Sequence, residues 1–293
     1  TGQKVETNDP TVEMVKGILA KHPFPGDVEI ATNAWVTDTT LDLIDKYDPQ
    51  FAFISYGLPY FQFRFYKTSA ENKRQIIESV FQEIDRFVRN SGFTPVIVGT
   101  GGLVPLQGYI DFSHLDGLAV ASNWTASYAG LHHASERDLK YIASLPQIQR
   151  VVTKKELLEV FGGTVAEAFR LPEYFVVAQE GYTYKVPGTT LRRPVNIPAH
   201  NAYIPIATDL GQAAELTGIR GLIEQNLPQK KIALIVVEGV GEEDFPLPFT
   251  RCNNRVDWYH YEQGELQFFA MYMGKHHFLA YPQGYLYYED DDE

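Results

Sequence analysis

The chain has 293 residues, 44% hydrophobic and 21% charged, a profile that excludes a disordered chain and provides for a large buried core. A net charge of −12 argues against nucleic acid or an anionic membrane as partner, and no apolar run approaches the roughly 20 residues of a membrane span. The single cysteine, Cys252, excludes an internal disulfide framework and a cysteine-built zinc cage. It fits a reducing, cytoplasmic compartment, and export with a removed leader is equally compatible. The polar start TGQKVETNDP carries no signal peptide, and a first residue that is threonine leaves room for a segment removed upstream.

In chain order, TVEMVKGILAK has helical spacing and HPFPGD closes it. DVEIATNA predicts a strand, and Thr37 or Asp38 is placed to cap a helix over TTLDLIDKY that stops at Asp48-Pro49. FAFISYG is a continuous apolar run, the pattern of a strand covered on both faces. SAENKRQIIESVFQEIDRFVRN predicts the clearest helix, with Ser69 and Asn72 at its start and one apolar face from Ile76 to Val88. PVIVGTGG then gives a strand and a glycine-rich turn. Alternation of strand and helix to this point predicts a mostly parallel central sheet with helices on both faces.

Further on, LDGLAVAS predicts a strand, SERDLKYIASL a serine-capped helix, and IQRVVTKKELLEVFG a strand leading into a helix. EYFVVAQEGYTYKV alternates like a hairpin, RRPVNIPAHNAYIP is loop-like, residues 209–226 are helical, and KKIALIVVEGVG is strongly β in character. From about residue 245 aromatics crowd in and helical periodicity fades. The expected organisation is therefore an α/β domain over 1–244 and an aromatic-rich β extension over 245–293, which also offers a surface for homo-oligomers.

The order of segments over about residues 35–205 resembles the alkaline-phosphatase superfamily, in its nucleotide pyrophosphatase and phosphodiesterase branch. The pieces are DTTLDLIDKYDPQFAFISYGLP, the helix SAENKRQIIESVFQEIDRFV, the turn VIVGTGG, then LPQIQRVVTKKELLEVFG, LPEYFVVAQEGYTY and AHNAYIP. The resemblance implies an α/β fold in which two divalent metals activate a threonine or serine nucleophile for in-line phosphoryl displacement. It also implies an aspartate and a histidine after the first of these strands, where this chain has Tyr60 and Arg64. At the second turn it implies Ser-Asp-His-Gly, and this chain has Gly99-Thr100-Gly101-Gly102. A late histidine corresponds to His200, and IALIVVEGVG is similar to the family's metal-bearing first strand, with Glu238 at the aspartate position. An arginine cannot ligate a cation.

Two functions follow as expectations. In the first, the protein has lost two-metal hydrolysis and binds a ligand or partner at the old site. A phosphate-bearing or other anionic small molecule would meet Arg64, Thr100, Gly101, Gly102, His200 and Tyr203 there. In the alternative, it is an active phosphodiesterase or phosphatase using Zn or Mn, with its nucleophile and remaining ligands in an absent N-terminal segment. No cofactor or metal is expected on the first reading, and no catalytic residue is assigned. The side chains offering ligand chemistry are His200, Glu238, Asp111 and His114. The glycine turn reads either as an anion cradle of backbone N–H groups or as a strand exit that needs positive φ. His132-His133 and His276-His277 are adjacent pairs, and neighbouring side chains point apart on a strand or a helix. Glu242, Glu243 and Asp244 form an acidic loop after a strand, and Asp116 joins Asp111 and His114 in DFSHLDG.

Overall fold

The computed structural model describes residues 10–121, 127–164, 171–185, 193–258 and 265–276. Its centre is a five-stranded sheet made of β1 (Phe51–Tyr56), β2 (Thr94–Gly99), β11 (Tyr203–Ala207), β12 (Ile232–Val237) and β13 (Thr250–Asn253). The spatial order is β1-β12-β2-β11-β13. β1, β12 and β2 run parallel, whereas β11 is antiparallel to both β2 and β13. The sheet is therefore mixed rather than mostly parallel. β1 and β2, consecutive strands of the helix-linked run, are parallel but not neighbours, because β12 inserts between them from far along the chain.

Two helical layers cover this sheet. Alternation along β12 divides its side chains: Ala233, Ile235 and Val237 face one core, and Ile232, Leu234 and Val236 face the other. After α1 (Pro10–Lys21), α2 (Ala31–Tyr47) closes the first core together with α4 (Ala70–Ser91). The second is closed by α7 (Gly218–Asn226) and α8 (Glu265–Met273). α4 forms as its sequence predicts: Ser69 caps it by accepting from the Asn72 amide, Gly92 ends it at φ 71°, and Ile77, Val80, Phe81, Ile84 and Phe87 are buried.

Five local expectations need correction. RRPVNIPAHNAYIP is not simply loop, since Asn196–Pro198 is a strand and β11 begins at Tyr203. The segment DVEIATNA is not a strand, since α2 already begins at Ala31. Thr37 and Asp38, expected at the start of a helix, therefore lie inside it, and the α2 threonines bond back into the helix: Thr37 to the Asn33 carbonyl at 3.2 Å, Thr39 to Trp35 at 2.7 Å and Thr40 to Val36 at 2.7 Å. Within 209–226 only α7 is regular helix. EYFVVAQEGYTYKV does not fold back on itself, because β8 (Tyr174–Ala178) and β9 (Tyr182–Tyr184) join different sheets. Of the expected C-terminal strands, β13 forms on the sheet edge, but ELQFFAMYM is helix α8, which buries Gln267, Ala270 and Met271. Spacing of three and four, with Glu, Leu, Gln, Ala and Met as helix formers, outweighs its aromatics. Residues 277–293 lie outside the described residues.

A second sheet is built from the chain between β2 and β11. β5 (Leu118–Ala121), β6 (Tyr128–His132), β8 and β7 (Ile148–Thr153) form an antiparallel sheet in the order β5-β6-β8-β7. α5 (Glu136–Ser144) and α6 (Lys154–Phe161) pack on it, each opened by a capping box, Ser135 with Asp138 and Thr153 with Glu156. Two small pairs connect the sheets: β3 (Leu103–Pro105) with β10 (Asn196–Pro198), and β4 (Gly108–Ile110) with β9.

Candidate functional site

The carboxyl ends of β1, β12 and β2 lie side by side, where ligands of open α/β sheets bind. β12 runs out into Glu238, whose amide donates to the Tyr56 carbonyl at 3.1 Å. Its carboxylate Oε1 accepts from Ser55 Oγ at 2.5 Å, and the side chain is buried. Gly239 follows at φ 76°, so close to the next helix that a methyl there would sit 2.8 Å from the Tyr60 Cα. Only glycine fits both the angle and the gap.

The glycine turn after β2 closes against this end. Thr100 Oγ1 accepts from the Gly239 amide at 3.0 Å. The Thr100 amide donates to Val237 at 3.3 Å and the Gly101 amide to Val240 at 3.2 Å. These are two of the N–H groups an anion cradle would need, and the fold already uses them. Gly101, at φ 101°, lies where a Cβ would meet the Asn201 side chain at 2.6 Å. Gln267 of α8 covers the turn from above by donating to the Thr100 carbonyl at 3.1 Å. The turn is thus a tightly packed strand exit.

α3 (Leu58–Phe65) starts directly after β1 and carries Tyr60 and Arg64 one helical turn apart. Both are buried, and Arg64 Nη1 donates to the Tyr60 hydroxyl at 2.9 Å. The guanidinium also lies 4.7 Å from the Phe65 ring. A permanent cation therefore occupies the interior beside the strand ends.

His200 follows Ala199 in the chain and is tied to the turn by the Ala199 amide, which donates to the Gly102 carbonyl at 2.9 Å. Its own amide donates to Glu180 Oε2 at 2.7 Å, and its Nδ1 is 3.8 Å from Asp257. Burial pushes its pKa below the usual histidine value, with the nearby Asp257 and Glu180 opposing the shift. Asp257 also lies 3.6 Å from Arg150, which lines a groove of about 400 Å³ with Val152, Leu157, Val160, Val256 and Trp258. Tyr203 stands apart from this set: it is 40% exposed and stacks with Arg251, 4.3 Å from its ring centre.

The remaining candidates are dispersed. Asp111 is bound to Lys185 at 2.7 Å and accepts from the Ser113 amide, and the Lys185 hydrogen bond, with that turn, holds its carboxyl well below the usual range. His114 packs on Tyr141, ring centres 4.6 Å apart, and Asp116 faces Ser135 and Arg137. DFSHLDG therefore supplies turn contacts, not a converging ligand set. His132 and His133 each lie 4.0 Å from Glu173. His276 is buried against Phe161, and desolvation pushes its pKa down to about 4; His277 lies outside the described residues. Glu242 pairs with Arg251 and Asp244 with Lys73. Among the described residues, no group of three His, Cys, Asp or Glu side chains is arranged to hold a metal ion.

Sequence reasoning missed Ser55, Gln267, Glu180 and Asp257 as members of this neighbourhood. Ser55 lies inside an apolar run and Gln267 inside an aromatic one, so neither carries a local signal. No family model, curated protein or solved structure matches the chain.

Proposed function

We propose that the chain is a divergent alkaline-phosphatase-like protein that has lost two-metal phosphoester hydrolysis and holds an anionic, phosphate-bearing small molecule at the former metal site. The observation that carries this reading is the pair Tyr60 and Arg64. They stand at the positions where the resemblance implies an aspartate and a histidine ligand, and Arg64 is buried and bonded to Tyr60. A guanidinium there repels divalent cations and attracts an anion, with its planar N–H groups suited to phosphate oxygens. Thr100 and Gly101 replace ligands at the second turn, and their contacts to Gly239 and Val240 are structural. On this reading the groups left to bind a phosphate are the Arg64 guanidinium, with His200 as a second candidate, and not the turn amides.

A second reading retains hydrolysis with Zn or Mn, its nucleophile supplied by a segment preceding this chain. Glu238 favours it, as a buried carboxylate at the end of the interior strand β12, in the aspartate position of the resemblance. Restoring a nucleophile would still leave Tyr60, Arg64, Thr100 and Gly101 in ligand positions.

Turnover of a nitrophenyl phosphate monoester and diester, with added zinc or manganese and a chelator control, separates the two. The expected result is no chelator-sensitive turnover, together with a rise in unfolding temperature on adding inorganic phosphate that is smaller in Arg64→Met and in His200→Gln. Chelator-sensitive turnover lost in Glu238→Gln would establish the second reading. An unfolding temperature indifferent to phosphate would remove the anion site.

A further inference from the structure

Two arginines and a tyrosine gather beside the end of α3. The segment leading into β10 is pinned to that helix. The Val195 amide donates to the Arg64 carbonyl at 2.6 Å, and the Asn196 side-chain amide donates to the Phe63 carbonyl at 2.5 Å. The Val195 carbonyl in turn accepts from the Leu106 amide at 3.0 Å, in the link between β3 and β4. Arg193 stands two residues before Val195, and Tyr109 of β4 stands three residues after Leu106. Tyr109 is thereby brought within electrostatic reach of two guanidinium groups. Burial raises the pKa of its phenol, and the charges of Arg193 and Arg64 oppose that rise.

The Tyr109 hydroxyl is buried and has no hydrogen-bond partner among the described residues. A buried hydroxyl left unmatched is costly, and no arginine can take its proton, because a guanidinium carries donors only. Arg193 is exposed and is in no ion pair among the described residues. Residues 186–192, VPGTTLR, contain no carboxylate that could supply one. Carboxylates are plentiful in a chain of net charge −12, so a place where donors meet without one stands out. The group that would match these donors is an anion brought from solution.

We propose that Tyr109 and Arg193 complete the anion site of Arg64, and that this site takes the terminal phosphate of a phosphomonoester. A monoester offers three terminal oxygens, one for each of the three donor groups, and two guanidiniums balance its two negative charges. A diester carries one negative charge and two non-bridging oxygens, so it leaves a donor unmatched. Guanidinium forks suit phosphate oxygens in both shape and charge. The inference rests on the reading of Arg64 as an anion-binding residue and names the groups that join it and the ester class they select.

Titration calorimetry of the full chain with methyl phosphate and dimethyl phosphate tests it, at about pH 8, where the monoester is a dianion. The expected result is methyl phosphate binding at least about tenfold tighter than dimethyl phosphate. Arg193→Met weakens methyl phosphate about tenfold, and Tyr109→Phe weakens it about threefold. Tyr109→Phe does not lower the unfolding temperature of the unliganded chain, because the hydroxyl it removes has no partner to lose; its effect on binding is then not an effect on folding. Methyl phosphate binding that Arg64→Met weakens and both other variants leave unchanged overturns this inference while the Arg64 reading stands. Equal affinity for the two esters likewise overturns the inference alone. A wild-type chain that binds neither ester overturns the Arg64 reading, and the inference with it.

Discussion

β12 and β5 are both short apolar strands, and they sit in opposite circumstances. β12 is flanked by strands on both sides and covered by helices on both faces, so all six of its residues are buried. β5 lies at the edge of the antiparallel sheet, with Leu118 61% and Val120 53% exposed. The difference shows where this molecule can place precise chemistry. The centre of the five-stranded sheet is packed from two directions and holds Glu238, Thr100 and Gly239 in fixed contact. The outer strands are only half covered and offer surface instead.

The sharpest way to break that comparison is truncation. Leu234→Ala in β12 should cost about 2–5 kcal/mol, because neighbours buried on both sides cannot collapse into the space. Val120→Ala in β5 should change stability by less than about 0.5 kcal/mol. Urea unfolding of the two variants measures both, and equal losses would erase the distinction between centre and edge.

Glycine substitutions sharpen it further. Gly239 and Gly162 share almost the same backbone angle, φ 76° and 74°, but a Cβ at Gly162 meets nothing within 4 Å. Gly162→Ala should therefore cost only the left-handed backbone penalty, about 1 kcal/mol. Gly239→Ala adds a clash with the Tyr60 backbone and should cost about 2–3 kcal/mol or more. Similar values from thermal unfolding would mean that the strand ends yield easily.

pH gives a third comparison. Asp138 in α5, which packs on the antiparallel sheet, accepts from the amides of Asp116, Gly117 and Ser135, and these bonds, that from Asp116 first, lower its pKa from 3.8 to about 2. Its folded value lies below its unfolded one, so it stabilises fully above about pH 4 and loses that contribution as pH falls towards 2. His200 at the main sheet is also depressed, by burial, so protonation favours the unfolded chain and stability falls as pH drops below about 6.5. Asp138→Asn should flatten the lower window and His200→Gln the upper one. Unfolding curves that change in the same window for both variants would contradict these assignments.

The smallest effect expected is chemical. Cys252 lies in β13 against the second core, and burial pushes its thiol up to about 12. It should resist thiol labelling in the native state and react only on unfolding, and rapid native labelling would mean that this edge of the sheet opens.

Much of the local structure was legible in the sequence. Ser69 and Ser135 announce their helices because a cap is a contact over three residues, and the apolar face of α4 repeats at helical spacing. The first part of α2 and the whole of α8 were not legible, since β-branched and aromatic residues favour strands until tertiary contacts decide, as the Thr37 hydroxyl does at 2.9 Å from the Tyr56 hydroxyl. Strand order was not legible either: nothing in PVIVGTGG or FAFISYG records that a strand from the far end of the chain comes between them. The site shared this fate. Ser55 and Glu238 are 183 residues apart, and their contact exists only once β1 and β12 pair. What could be read was that Tyr60, Arg64, Thr100 and Gly101 carry neither carboxylate nor imidazole, because residue chemistry needs no fold to be recognised.

The most direct test of the central claim is the zinc content of the protein after equilibrium dialysis against zinc, measured by mass spectrometry with an Arg64→Asp variant in parallel. The account predicts no stoichiometric zinc in the wild type, because a buried guanidinium stands beside the strand ends where two cations would have to gather. Two equivalents of zinc per wild-type chain, reduced by Glu238→Gln, would contradict it.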